Sequence, residues 1–156
     1  FYPSDEDLGR AKRTFFEGIL RFLPWMATID LFQHWIYTHP GHTAAQRREA
    51  WLALLGRFGS KAVDWTGHEE ARATAWHRQL HYIEYGIAQL GALQLWQRFR
   101  DDREDALRRY RGALELGGTR PLPALFEAAG LRFAFDRATL GPLVAAVAAE
   151  LDAMPA

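Results

Sequence analysis

Residues 4–22 read SDEDLGRAKRTFFEGILRF, and this stretch decides the fold class. Ser4 stands before Asp5, Glu6 and Asp7, so a hydroxyl able to accept a backbone N–H precedes three acids suited to the positive end of a helix. Leu8, Ala11, Phe15, Ile19 and Phe22 then recur at steps of three and four, which predicts a helix with one buried face. Pro24 should kink or divide the pattern, because it lacks an N–H and crowds the turn before it. A second helical stretch carries Ile29, Phe32, Trp35 and Ile36 and ends near His39-Pro40-Gly41.

The rest of the chain reads the same way. Thr43-Ala44-Ala45-Gln46 is a capping box ahead of Trp51, Leu54, Leu55 and Phe58, with Gly59 as the stop. Thr66-Gly67-His68-Glu69 is a second such box and opens the longest helical pattern, roughly 67 to 100, with Trp76, Leu80, Ile83, Ile87, Leu90 and Trp96 as anchors. Asp102 can cap a helix carrying Leu107, Tyr110 and Leu114, which Gly117-Gly118 ends. Pro121 and Pro123 suit the start of a short helix through Ala129, with Gly130 as its stop. Phe133 and Phe135 mark a brief extended link, and Asp136 caps a last helix to about Met154, with Gly141-Pro142 near its first turns. No strand pattern, internal repeat or linker interrupts residues 1–156. The fold class is all-α, a multi-helix array.

Composition narrows the function. The 156 residues hold 19 basic and 19 acidic side chains, so the net charge is zero, which argues against nucleic acid or an anionic membrane as partner. There is no cysteine, hence neither a disulfide framework nor a thiolate metal site, as suits a reducing compartment. No run approaches the roughly 18 apolar residues of a membrane span. Soluble, intracellular and cytoplasmic is the expectation.

The six histidines supply little metal chemistry. His77 and His81 have the i, i+4 spacing of two ligands on one helix face, but Arg78 stands where a zinc peptidase of the H-E-x-x-H type needs its basic glutamate. His68-Glu69-Glu70-Ala71-Arg72 lacks the second histidine, and His39 with His42 would need a third ligand from elsewhere. Ser4 and Ser60 have no nucleophile context, and the alternating charges of Arg98 to Arg111 read as a solvated face. The remaining cluster is His81-Tyr82-Ile83-Glu84-Tyr85, in which His81, Glu84 and Tyr85 would share a helix face. An imidazole and phenols can donate hydrogen bonds to a peptide carbonyl or an oxyanion; they can equally be core residues with satisfied polar tips.

The string Tyr82-Ile83-Glu84-Tyr85-Gly86-Ile87-Ala88-Gln89-Leu90-Gly91, preceded by Gln79-Leu80-His81, resembles the C-terminal part of oligoendopeptidase F, a zinc metallopeptidase of the thimet oligopeptidase family. Phe15-Phe16-Glu17-Gly18-Ile19, Asp30 with Phe32-Gln33-His34-Trp35-Ile36-Tyr37, Phe58-Gly59 and Gly117-Gly118-Thr119-Arg120-Pro121 agree in order and spacing. The resemblance runs over essentially the whole chain. It implies a mostly helical metalloendopeptidase whose deep channel admits short peptides, with Zn2+ held by the two histidines of H-E-x-x-H and a glutamate of the following helix. That motif is absent from residues 1–156, and together with Phe1 as first residue its absence makes the chain read as a segment of a longer parent.

By the same resemblance the chain supplies the opposite wall of the cleft. His81 matches the substrate-binding histidine, and Tyr82 and Tyr85 match tyrosines that reach toward the scissile carbonyl and its developing oxyanion. The family usually carries several more residues after the histidine, of the pattern Ile-Phe-x-x-Pro-Phe-Tyr, whereas here His81 abuts Tyr82. Either this protein has lost a loop or a segment is missing from the numbering between 81 and 82. The second is preferred, since a Pro-containing segment beside a cleft is easily disordered. Two readings follow. The chain is a peptidase segment, inactive alone, whose partners are short peptides, the remainder of the peptidase domain and, through uncovered apolar faces, other copies of itself. Alternatively it is a non-catalytic helical binding or scaffold module that keeps the fold.

Overall fold

The computed structural model describes residues 2–65, 67, 73, 74 and 82–154. Six helices run through them: α1 Asp5–Thr38, α2 Ala44–Phe58, α3 Ile83–Asp101, α4 Arg103–Glu115, α5 Leu122–Ala128 and α6 Arg137–Asp152. No strand occurs among the described residues. The fold is all-α. None of these helices is long and apolar enough to cross a membrane.

Four of the helix starts are set by short side chains that accept otherwise orphaned amides. Asp7 N–H donates to Ser4 Oγ at 3.1 Å. The Thr43 box is complete: Gln46 N–H donates to Thr43 Oγ1 at 3.2 Å and Thr43 N–H to Gln46 Oε1 at 2.9 Å. Asp102 accepts from Asp105 N–H at 3.0 Å, and Asp136 from Thr139 N–H at 2.8 Å. Gly117 and Gly130, which follow α4 and α5, take φ of +54° and +73°, a conformation that a Cβ disfavours.

Pro24 does not divide the first helix; α1 passes through it unbroken. Loss of one backbone hydrogen bond is outweighed by the stripe that α1 buries, and Thr28 Oγ1 donates back to Pro24 O at 3.0 Å. That stripe also differs by one residue from expectation. Phe16 and Ile19 are buried while Phe15 is 61% exposed, because the burial period continues through Met26, Ile29, Phe32 and Ile36. In α4 the expected anchors Tyr110 and Leu114 stand exposed, and Ala106 is the buried residue. Within the long pattern Ala73 and Thr74 are helical and the continuous described part begins as α3 at Ile83, with Tyr82 in a turn; Thr66, His68, Glu69, Trp76 and Leu80 lie outside the described residues.

The chain divides into two compact units, Phe1–Gly18 with Ile87–Ala156, and Ile19–Gly86. In the first, Phe16 packs on Trp96 with ring centroids 5.1 Å apart, and Leu90, Leu93, Leu143 and Val147 are buried. The Gln94 amide clamps the link after α5 by donating to Arg132 O and accepting from Arg132 N–H. Arg98 donates to Gly130 O at 2.9 Å and also reaches Asp105, which Arg109 holds at 2.8 Å. The second unit is built on Ile29, Phe32, Ile36, Trp51, Leu55 and Ala73. Trp51 is fully buried and meets Phe32 and Trp25 edge-on, at 4.9 and 6.0 Å between centroids.

Two predictions follow from this packing. Trp51→Ala removes the largest fully buried side chain and should cost about 3–5 kcal/mol in urea unfolding. An unchanged midpoint would contradict the assigned core. The Arg109 hydrogen bond lowers the pKa of Asp105, and the Thr139 backbone N–H lowers that of Asp136, both below 3.8. A carboxyl with a depressed folded pKa binds fewer protons folded than unfolded. Its contribution is therefore complete above the unfolded value and is lost as pH falls through the folded one. The melting temperature should fall below about pH 4, less steeply in Asp105→Asn than in the unaltered chain; parallel pH profiles would remove Asp105 from the account.

Candidate functional site

The first turn of α3 approaches α1 at a glycine. A Cβ on Gly86 would lie on Met26 Cε, 2.8 Å from Met26 Sδ and 3.1 Å from its Cγ, and Met26 is itself buried. A side chain at 86 would need the Met26 side chain to move out of the space it occupies. Tyr82, just before this approach, meets Phe22 and Trp25 of α1, and Tyr85 packs on Tyr82.

Tyr82 lies in the turn that leads into α3, where its carbonyl accepts from Tyr85 N–H at 3.3 Å. Its ring packs on Phe22 at 6.3 Å and on Tyr85 at 5.6 Å between centroids. The Trp25 indole Nε1–H donates to Tyr82 Oη at 3.1 Å. Tyr82 is half-buried, whereas Tyr85 is 65% exposed. Two phenols thus stand side by side, one seated on aromatic rings of α1 and the other open to solvent. A phenol can donate one hydrogen bond and accept others, so the pair suits the backbone carbonyl of an extended peptide. Glu84, on the same turn, is exposed.

Of the three residues singled out in the sequence, the structure brings Tyr82 and Tyr85 together. His81 lies outside the described residues, as do the junction 81–82, His68 and His77. Trp25 was not signalled. It is separated from Tyr82 by 57 positions, and no spacing rule links them. Gly86 was visible only as part of the Tyr-Ile-Glu-Tyr-Gly string.

His39 and His42 are engaged in a different way. Each Nδ1–H donates to a backbone carbonyl, of Trp35 at 2.8 Å and of His39 at 2.7 Å, and both rings lie against Trp35. They line a concavity of about 640 Å³ with Gln46 and Glu49. Among the described residues no three His, Cys, Asp or Glu side chains converge to hold a metal ion.

Two solved structures match the chain. One, provisionally assigned as oligoendopeptidase F, superposes over 96% of the chain with a TM-score of 0.78 and 28% identity. The other, with the same provisional assignment and from Bacillus anthracis str. Ames, covers 96% of the chain with a TM-score of 0.76 and 26% identity. The chain shares its fold with part of oligoendopeptidase F. It spans 28% and 25% of the length of those two proteins. No family model matches, and no curated protein matches by sequence.

The packing at the start of α3 rests in part on the Gly86–Met26 contact, which is directly testable. Gly86→Val should destabilise the chain by about 1–3 kcal/mol through overpacking. Adding Met26→Ala should recover part of that loss in the same urea titrations. Strictly additive effects of the two substitutions would contradict the contact.

Proposed function

We propose that the chain is the C-terminal segment of an oligoendopeptidase F-like zinc metalloendopeptidase and forms the substrate-binding wall of its cleft. The phenols of Tyr82 and Tyr85, and by the sequence resemblance the imidazole of His81, donate hydrogen bonds to the backbone of a short peptide and to the oxyanion that develops at its scissile carbonyl. The observation that carries this reading is Tyr82, held by Phe22 and Trp25, with the exposed Tyr85 packed beside it. Its support from relatives is the fold likeness at 28% and 26% identity. The reading takes the cytoplasm as its compartment, in keeping with a chain that uses no cysteine.

The described residues do not fit the zinc that this family implies: no three potential ligands meet, and residues 1–156 contain no H-E-x-x-H. No step is therefore derived through the metal. What these residues can do is bind and orient, and the base and the metal belong to the remainder of the peptidase domain. Accordingly, the purified 156-residue chain should not cleave a fluorogenic short peptide with or without added zinc, while the zinc-loaded parent should. Chelator-sensitive cleavage by the purified chain would overturn the assigned division of labour.

The proposal extends to self-association. Large apolar side chains stand exposed, among them Phe15 at 61% and Leu114 at 60%. Apolar groups of this size left uncovered favour contact between copies. Sedimentation velocity should detect a concentration-dependent oligomer, and a monomer throughout would count against it.

A further inference from the structure

We propose that the cleft lined by α3, α4 and α5 is a binding site for a small uncharged aromatic molecule. The proposal is independent of the substrate-wall reading, since the whole cleft belongs to the unit that holds residues 87–156. The cleft measures about 490 Å³, within the range of ligand sites. A cavity of roughly 150 Å³ holds one benzene, so there is room for two fused rings with a substituent. Small residues make this space: Gly91 and Ala92 on α3 and Ala113 on α4 put little or no side chain into it. Phe126 supplies an aromatic wall. It packs so closely on Gly91 that a Cβ there would lie 3.0 Å from Phe126 Cζ, and Phe133 meets it edge-on at 5.2 Å between centroids.

The chemistry of the lining selects the ligand. None of the lining residues is charged, and Tyr110 alone brings a polar side-chain atom. A charged ligand would lose water here without gaining a counter-ion, whereas an apolar one displaces water that finds almost no hydrogen-bond partner. A flat molecule with one hydroxyl for the Tyr110 phenol matches volume, wall and polar tip together. A protein partner is the poorer match. Tyr110, Leu114 and Leu122 are the exposed large side chains of the cleft, at 40%, 60% and 49%. Together they leave on the order of 300 Å² uncovered, against about 800 Å² per partner in a stable interface. That is too little to hold a second copy of the chain by itself.

The test titrates the full 156-residue chain with 2-naphthol, and with naphthalene as the probe that lacks the hydroxyl, followed by two-dimensional NMR. Saturable one-to-one binding is expected with Kd on the order of 0.1 mM, ordinary for about eleven heavy atoms. The shift changes should centre on Ala92, Ala113 and Ala129. Ala92→Leu and Ala113→Leu fill the cleft from two different helices, and each should weaken both probes at least about tenfold. Leucine is nearly as good a helix former as alanine, so the variants should melt no lower than the unaltered chain; should one unfold, the other decides. Tyr110→Phe should weaken 2-naphthol about three- to tenfold, the change that one ordinary hydrogen bond represents, and leave naphthalene unaffected. No saturation by either probe, or binding that both leucine variants leave intact, would overturn the site. One probe per two chains, or affinity that falls as the chain is diluted, would make the cleft an interface between copies and overturn it as well. Equal losses of the two probes in Tyr110→Phe would overturn the polar contact and the class of ligand drawn from it.

Discussion

The close approach of the first turn of α3 to α1, at Gly86 and Met26, is the constraint on which the candidate site depends. A Cβ at position 86 would meet the Met26 side chain, so with glycine there Met26 packs directly against the start of α3. From that contact the placement of Tyr82 and Tyr85 follows, since one immediately precedes α3 and the other lies within its first turn. Local backbone chemistry sets where the helix begins; the glycine sets what it begins against.

Aromatic contacts then carry rigidity from core to surface within the Ile19–Gly86 unit. Phe32 packs on Trp51, Trp51 on Trp25, and Trp25 hydrogen-bonds Tyr82, whose ring touches Tyr85. Burial falls along this series from the fully enclosed Trp51 to the open Tyr85. Apolar area removed from water stabilises the inner members, and edge-on ring geometry adds direction. The outer members inherit that order while keeping polar tips that can meet a ligand. The Asp105 cluster does different work in the other unit, where Arg98, Arg108 and Arg109 gather on one carboxylate and Arg98 also holds the chain after α5 at Gly130.

Much of this fold was legible in the sequence, and the part that was not has a physical reason. Ser4, Thr43, Asp102 and Asp136 all cap as read, because capping joins atoms only three residues apart. Pro24 is read by a local rule as a kink or a division, and the long buried stripe of α1 carries the helix through it undivided. Phe15 was placed inside and lies outside, since a three-or-four spacing fits two adjacent stripes and only the tertiary partners choose between them. In the site, Tyr82 and Tyr85 were found through the string in which they stand. Trp25 was missed because its link to Tyr82 is a contact across 57 positions, which no periodicity encodes.

The central claim is that the start of α3, seated on Phe22 and Trp25, is a peptide-binding surface. The most direct measurement is a two-dimensional NMR titration of the chain with a short unlabelled peptide. The account predicts chemical-shift changes concentrated on Tyr82, Tyr85 and the Trp25 indole N–H. Changes confined to the concavity of His39 and His42, or none at saturating peptide, would contradict it.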